Sequence, residues 1–129
     1  MAEVSFTERE LDVMAVLWAR GPSTVAEVRD AIEDDLAYTT ILTVLRTLEA
    51  KGHVGHEAEG KAHRYVPLVA REAAGRTALG RIVDKIFGGS RELLLAHLVE
   101  GRGVDDDEIK RLRKVLNDRL RDAGGSAAR

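Results

Sequence analysis

The spacing of apolar residues changes at Gly52, and that change limits what the chain can fold into. Before it the spacing is helical. Thr7-Glu8-Arg9-Glu10 reads as a capping box: the threonine hydroxyl takes a first-turn amide and Glu10 reaches back. Leu11, Met14, Ala15 and Trp18 follow on one face, and Gly21-Pro22 stops a helix predicted over 7–20. Thr24 and Glu27 form a second box, with Val25, Val28 and Ile32 on the inner face of a helix reaching about Glu33. After the polar break 34–37, a third helix starts near Tyr38-Thr39. Ile41, Val44, Leu45 and Leu48 stripe it, and Gly52 ends it. Three short helices in a row, the last two joined by a tight turn, make a tri-helical helix-turn-helix unit.

Beyond Gly52 the segments become short and β-prone. His53–Ala58 and Ala62–Leu68 flank a tight turn at Glu59-Gly60-Lys61, with Val54, Tyr65 and Val66 as strand formers. A hairpin directly after the third helix is a wing. The predicted fold class is therefore mainly α with a small β-hairpin. A winged helix-turn-helix DNA-binding domain spans 1–69, a helical dimerisation region 70–122, and a small, polar, disordered tail 123–129.

The second region carries three expected helices, at about 70–87, 90–100 and 105–122. Leu79, Ile82, Val83, Ile86 and Phe87 are expected to face inward on the first, and Ile109, Leu112, Leu116 and Leu120 form the seam of the last. Gly88-Gly89-Ser90 interrupts the chain after the first, and Asp105 to Glu108 place acid at the positive end of the last. The stretch Leu93 to Val99 is apolar nearly all round and needs cover on several sides. Helices this short are unstable alone, and a thin arm cannot cover itself. A second copy can, by two-fold packing. Ile82, Ile86, Leu93, Leu94, Leu95, Leu98, Leu112 and Leu116 are the expected dimerisation residues.

On a helical wheel with Ile41 at the core, Thr39, Thr43, Arg46 and Ala50 point outward, flanked by Thr40 and Thr47 on one side and Leu42 on the other. Threonine is a poor helix former, so a threonine-rich outer face suggests a use. Its hydroxyl can bond a phosphate or base edge, and its methyl can pack on thymine. Arg46 is suited to a guanine or a phosphate. Lys61 and Arg64 on the wing are expected over the phosphate backbone, with Arg64 alternatively holding Glu10 or another acid internally. The predicted DNA-contacting set is Thr39, Thr40, Leu42, Thr43, Arg46, Thr47, Lys61 and Arg64.

Charge argues the other way. Residues 1–70 hold 7 Lys/Arg against 12 Asp/Glu, and residues 71–129 hold 13 against 10. DNA contact must then use a local patch. The acidic first half keeps a rival open, a winged helix used only to bind other proteins. An enzyme is the other rival. Its one candidate cluster is His53, His56, Glu57 and His63, and strand alternation puts His53 and His56 on opposite faces. No nucleophile–base order or Gly-rich phosphate loop stands out, so no catalysis, cofactor or metal is expected. The chain has no cysteine, and neither a leader-like start nor an apolar run of membrane-spanning length. A cytoplasmic protein without stable membrane association is expected.

Several segments together carry a resemblance: Ala37-Tyr38-Thr39-Thr40-Ile41-Leu42-Thr43-Val44-Leu45, Leu48-Glu49-Ala50-Lys51-Gly52, Gly60-Lys61-Ala62-His63-Arg64-Tyr65-Val66-Pro67, Phe87-Gly88-Gly89-Ser90, and Val99-Glu100 before Asp107-Glu108-Ile109-Lys110-Arg111-Leu112. They resemble the BlaI/MecI family of penicillinase repressors over nearly the whole chain. The resemblance implies a homodimeric repressor on a palindromic operator of double-stranded DNA. It also implies release by cleavage in the penultimate helix, triggered by a membrane sensor metalloprotease. The family's cleavage pair is Asn-Phe; aligned on Val99-Glu100, this chain has His97-Leu98. It also lacks the C-terminal cysteines of copper-responsive relatives.

Overall fold

The computed structural model describes residues 5–101 and 103–127, with side chains described through Ala123. Both capping boxes form. Thr7 Oγ1 accepts from the Glu10 amide at 3.1 Å, while the Thr7 amide donates to Glu10 Oε1 at 2.8 Å, starting α1 (Glu8–Arg20). Gly21 ends it at φ 86, a conformation that only glycine adopts readily. Thr24 and Glu27 repeat the arrangement at the start of α2 (Val25–Ala31). The third helix, α3, covers Tyr38–Ala50.

The sheet differs from the expected hairpin by one strand. Strands β2 (Val54–Glu59) and β3 (Ala62–Pro67) pair antiparallel around a turn at Gly60-Lys61, in the register Val54↔Pro67 to Glu59↔Ala62. A two-residue strand β1 (Ser23–Thr24) pairs with the other edge of β3, giving the order β1-β3-β2. Two residues carry no period, so only the partner strand marks them as β.

The chain divides into two compact units, one to Arg81 and one from Ile82. The core of the first is Val13, Met14, Leu17, Val28, Ile41, Leu45 and Leu48, all fully buried, closed by Val25, Val54 and Tyr65. This is the winged helix-turn-helix. The expected boundary at 69/70 falls short of the observed one. Trp18 Nε1 donates to the Val69 carbonyl at 2.8 Å, and Ala74 is buried. The start of α4 (Arg71–Lys85) therefore belongs with the first unit, and the division lies inside that helix.

The second unit holds the end of α4, then α5 (Arg91–Glu100) and α6 (Asp106–Ala127). Ser90 Oγ caps α5 by accepting from the Leu93 amide at 3.0 Å. Of the five residues expected to face inward on the first of these helices, Leu79, Ile82 and Val83 lie on α4 and Ile86 and Phe87 just beyond it; Val83 is buried and Phe87 half-buried. Leu79, Ile82 and Ile86 are exposed, since helical spacing sets which side a residue faces and not whether that side is covered. The last helix continues to Ala127, through positions expected as a disordered tail, although Gly124 and Gly125 are poor helix formers. Residues 128–129 of that tail lie outside the described residues. No helix is long and apolar enough to cross a membrane, among the described residues.

Candidate nucleic-acid interface

Helix α3 presents the outer face that the wheel predicts. Thr39, Thr40, Thr43, Arg46 and Thr47 are all exposed, while Ile41, Leu45 and Leu48 are fully buried beneath them. Two of the threonine hydroxyls are already used. Thr43 Oγ1 donates to the Thr39 carbonyl at 2.9 Å, and Thr47 Oγ1 donates to the Thr43 carbonyl at 3.0 Å. Each hydroxyl proton thus points into the helix, leaving oxygen lone pairs and a methyl outside. Such a surface accepts from an adenine or cytosine amine and packs on a thymine methyl. To donate to a phosphate it must first give up the back-bond.

The start of α3 differs from the starts of α1 and α2. Its N-cap is Ala37, with no side-chain cap bond, and its first turn has no acid. In α1 and α2 a glutamate fills that place. The unopposed amides at the head of α3 favour an anion.

Wing and helix meet in a notch of about 160 Å³ lined by Tyr38, Leu42, Arg46, Lys61, His63 and Tyr65, among others. Leu42 is half-buried and packs against the core, so it forms the notch wall. Arg46 and Lys61 are exposed and make no ion pair among the described residues. Tyr38 and His63 were not in the predicted set, though both stand on the elements that supply it. The position of Tyr38 at the first residue of α3 was the available signal. Arg29 lies 6.0 Å from the centre of the Tyr38 ring, a contact with no counterpart in sequence spacing.

Arg64 differs from Lys61 in being paired. Its guanidinium bonds Glu59 Oε2 at 2.7 Å, Glu27 Oε1 at 2.9 Å and the Pro22 carbonyl at 3.1 Å. It ties β3 to its hairpin partner and to the start of α2, so its charge is already paired within the protein. Alternation explains this. Arg64 points to the face of the sheet opposite His63 and Tyr65. The alternative reading, that Arg64 holds Glu10 or another acid, is met by Glu27 and Glu59, while Glu10 is taken by Lys51 Nζ at 2.9 Å. The Thr24 amide and Arg64 hold the Glu27 carboxyl below the usual carboxylate range.

The candidate cluster His53, His56, Glu57 and His63 does not assemble. His53 is buried against Phe6, with ring centres 4.9 Å apart, away from the other two histidines. No group of three His, Cys, Asp or Glu side chains is arranged to hold a metal, among the described residues.

In the second unit, none of the eight residues expected at a dimer contact is buried. Ile82, Ile86, Leu93, Leu98 and Leu116 are exposed, and Leu94, Leu95 and Leu112 are half-buried. Leu95, Val99, Ile109, Leu112 and Leu116 line an apolar groove between α5 and α6.

The family model described as "Penicillinase repressor" matches residues 6–118. The chain is similar to the transcriptional regulator BlaI of Mycobacterium tuberculosis, at 39% identity over 83% of this chain and 79% of the relative. It is also similar to the methicillin resistance regulatory protein MecI of Staphylococcus aureus, at 26% identity over 84% and 89% of the two chains. A penicillinase repressor of Bacillus licheniformis matches at 23% identity over 87% and 89%. Among solved structures, a MarR family protein from Bacillus stearothermophilus has a similar fold, with a TM-score of 0.51 at 19% identity over 94% of this chain and 77% of that one.

Proposed function

Because the chain belongs to the penicillinase repressor family, a family of transcriptional regulators and not of enzymes, we propose that it represses transcription as a homodimer on a palindromic operator. Each protomer lays α3 in a major groove and its wing over the adjoining backbone. The observation that carries this reading is the α3–wing notch. An exposed Thr39/Thr43/Arg46/Thr47 face, an uncapped helix start and Lys61 stand together on an otherwise acidic half-chain.

The roles divide by chemistry. Thr43 and Thr47 offer acceptor oxygens and methyls to base edges. Arg46 supplies a fork for guanine or phosphate. Lys61 positions the wing on phosphate without reading sequence. The uncovered apolar faces of the second unit support the dimer, since two-fold packing buries the same patch of each copy against the other. Derepression by a membrane sensor metalloprotease, the family's route, would act on α5, where His97 and Leu98 are exposed.

The test is a gel-shift with the DNA upstream of the chain's own gene. A sequence-specific complex is expected, and Arg46→Ala should weaken it by roughly 1–3 kcal/mol if the contact is bidentate. No specific complex at low salt, where phosphate contacts are strongest, would leave the protein-interaction reading standing instead.

A further inference from the structure

The wing carries a histidine pair that DNA contact alone does not require. His56 and Ala58 of β2 share a face with His63 and Tyr65 of β3, because Tyr65 pairs with His56 and His63 with Ala58. On that face the His56 and His63 rings stack, with centres 4.1 Å apart and planes 11° from parallel. Nδ1 of His56 is bonded to Glu49 Oε2 of α3. His63, the other ring, lines the notch with Arg46 and Lys61.

Parallel rings do not aim their lone pairs at one point, so the stack is not built to chelate. It is suited to hold one proton. Imidazole is the side chain that changes charge between about pH 5 and 8. One imidazolium over one neutral ring is tolerated, whereas two at 4.1 Å repel. From α3, the Glu49 carboxylate meets His56, and Arg46 lines the notch with His63. From the hairpin turn, Lys61 lines it too. Tyr65 of β3 and Tyr38 of α3 present neutral rings, and α2 contributes the apolar Val25. A phosphate in the notch would pair with Arg46 and Lys61 and bring negative charge beside His63.

We infer that the His56–His63 stack takes up one proton when a DNA phosphate occupies the notch between α3 and the wing. The inference rests on the DNA-binding reading and adds its regulation: the complex is tighter in a more acidic medium. The proton comes from solvent and stays on the ring pair. Because the bound state holds the extra proton, affinity rises as pH falls.

Affinity for a duplex should be measured from pH 8 to 6 at fixed low salt, with both the upstream DNA and a mixed-sequence duplex of equal length. Wild-type affinity should rise by about three- to tenfold per pH unit, tenfold being the limit for one proton. His63→Gln and His56→Gln should each flatten the profile, and His97→Gln, on α5, should leave it intact. Both wing histidines are exposed, so these variants should fold. Imidazole resonances of the wild-type protein give a second readout, and the wing pair should titrate at higher pH with DNA than without. Binding with a flat wild-type profile, or a slope retained in both glutamine variants, overturns the proton coupling alone. No binding to either duplex at any pH overturns the DNA reading and the coupling with it.

Discussion

The two units are built from the same aliphatic residues at the same helical spacing, yet they treat them differently. Up to Arg81, seven apolar side chains from α1, α2 and α3 are fully shielded from water. From Ile82 onward, none of the described residues of α5 is buried, and Ile86, Leu98 and Leu120 are 71%, 57% and 70% exposed. Three crossing helices and a sheet enclose a volume; the few helices of the second unit do not. Apolar surface left in water costs roughly 25 cal/mol per Å², so the second unit is short of cover that the first already has. Period predicts which residues are apolar on one side, and only the number of surrounding elements decides whether that side is closed.

The largest expected effect comes from a charge on the open surface. Leu95 lines the α5–α6 groove. Leu95→Asp should convert dimer to monomer in sedimentation and cut operator affinity by about 100- to 10,000-fold, because two linked half-sites become one. The unfolding of the winged-helix unit should barely change. A variant that still sediments as a dimer would break the comparison, because the open face would not be the interface.

Next is a cavity in the closed surface. Leu17 is fully buried in α1. Leu17→Ala should cost roughly 2–5 kcal/mol of stability, read by denaturant unfolding of the Leu95→Asp monomer so that association plays no part. A loss well under 1 kcal/mol would mean that the first unit is no better packed than the second.

The smallest effect concerns a buried charge in the first unit. Burial pushes the Glu10 carboxyl up, but the Thr7 amide and the Lys51 ammonium outweigh it and hold the group below the usual carboxylate range. A depressed folded-state pKa contributes stability that is present above the ordinary glutamate value of about 4.3 and is lost as pH falls through the lower, folded value. Glu10→Gln should cost roughly 1–3 kcal/mol at pH 7. It should also make the acid side of the stability profile shallower than in the wild type. Parallel profiles would show that Glu10 is not coupled to folding.

Much of the fold was legible because its signals are local. The boxes Thr7–Glu10 and Thr24–Glu27 act over three residues, and the Ile41–Leu45–Leu48 stripe needs only the helical repeat. The outward threonines of α3 follow from the same wheel. What the wheel could not give is the direction of their hydroxyls, since Thr43 and Thr47 satisfy theirs on carbonyls one turn back.

The wing was less legible. Its existence follows from the change of period at Gly52, but its third strand and the occupation of Arg64 do not. Arg64 meets Glu27 and Pro22, 37 and 42 positions away, and looks in sequence like the other wing-tip cation, Lys61. The two differ because one sits on the strand face that meets α2 and the other at the turn.

The wing that carries the notch was read from that single change at Gly52, together with which helix precedes it and which faces are apolar. These are properties of neighbours along the chain, governed by backbone period and capping. Tertiary structure alone decided which cations stay unpaired, that His56 and His63 stack, and that α5 and α6 lack cover. Those outcomes depend on which distant surfaces meet, and the free energy of a charge or an apolar face is set by what it meets.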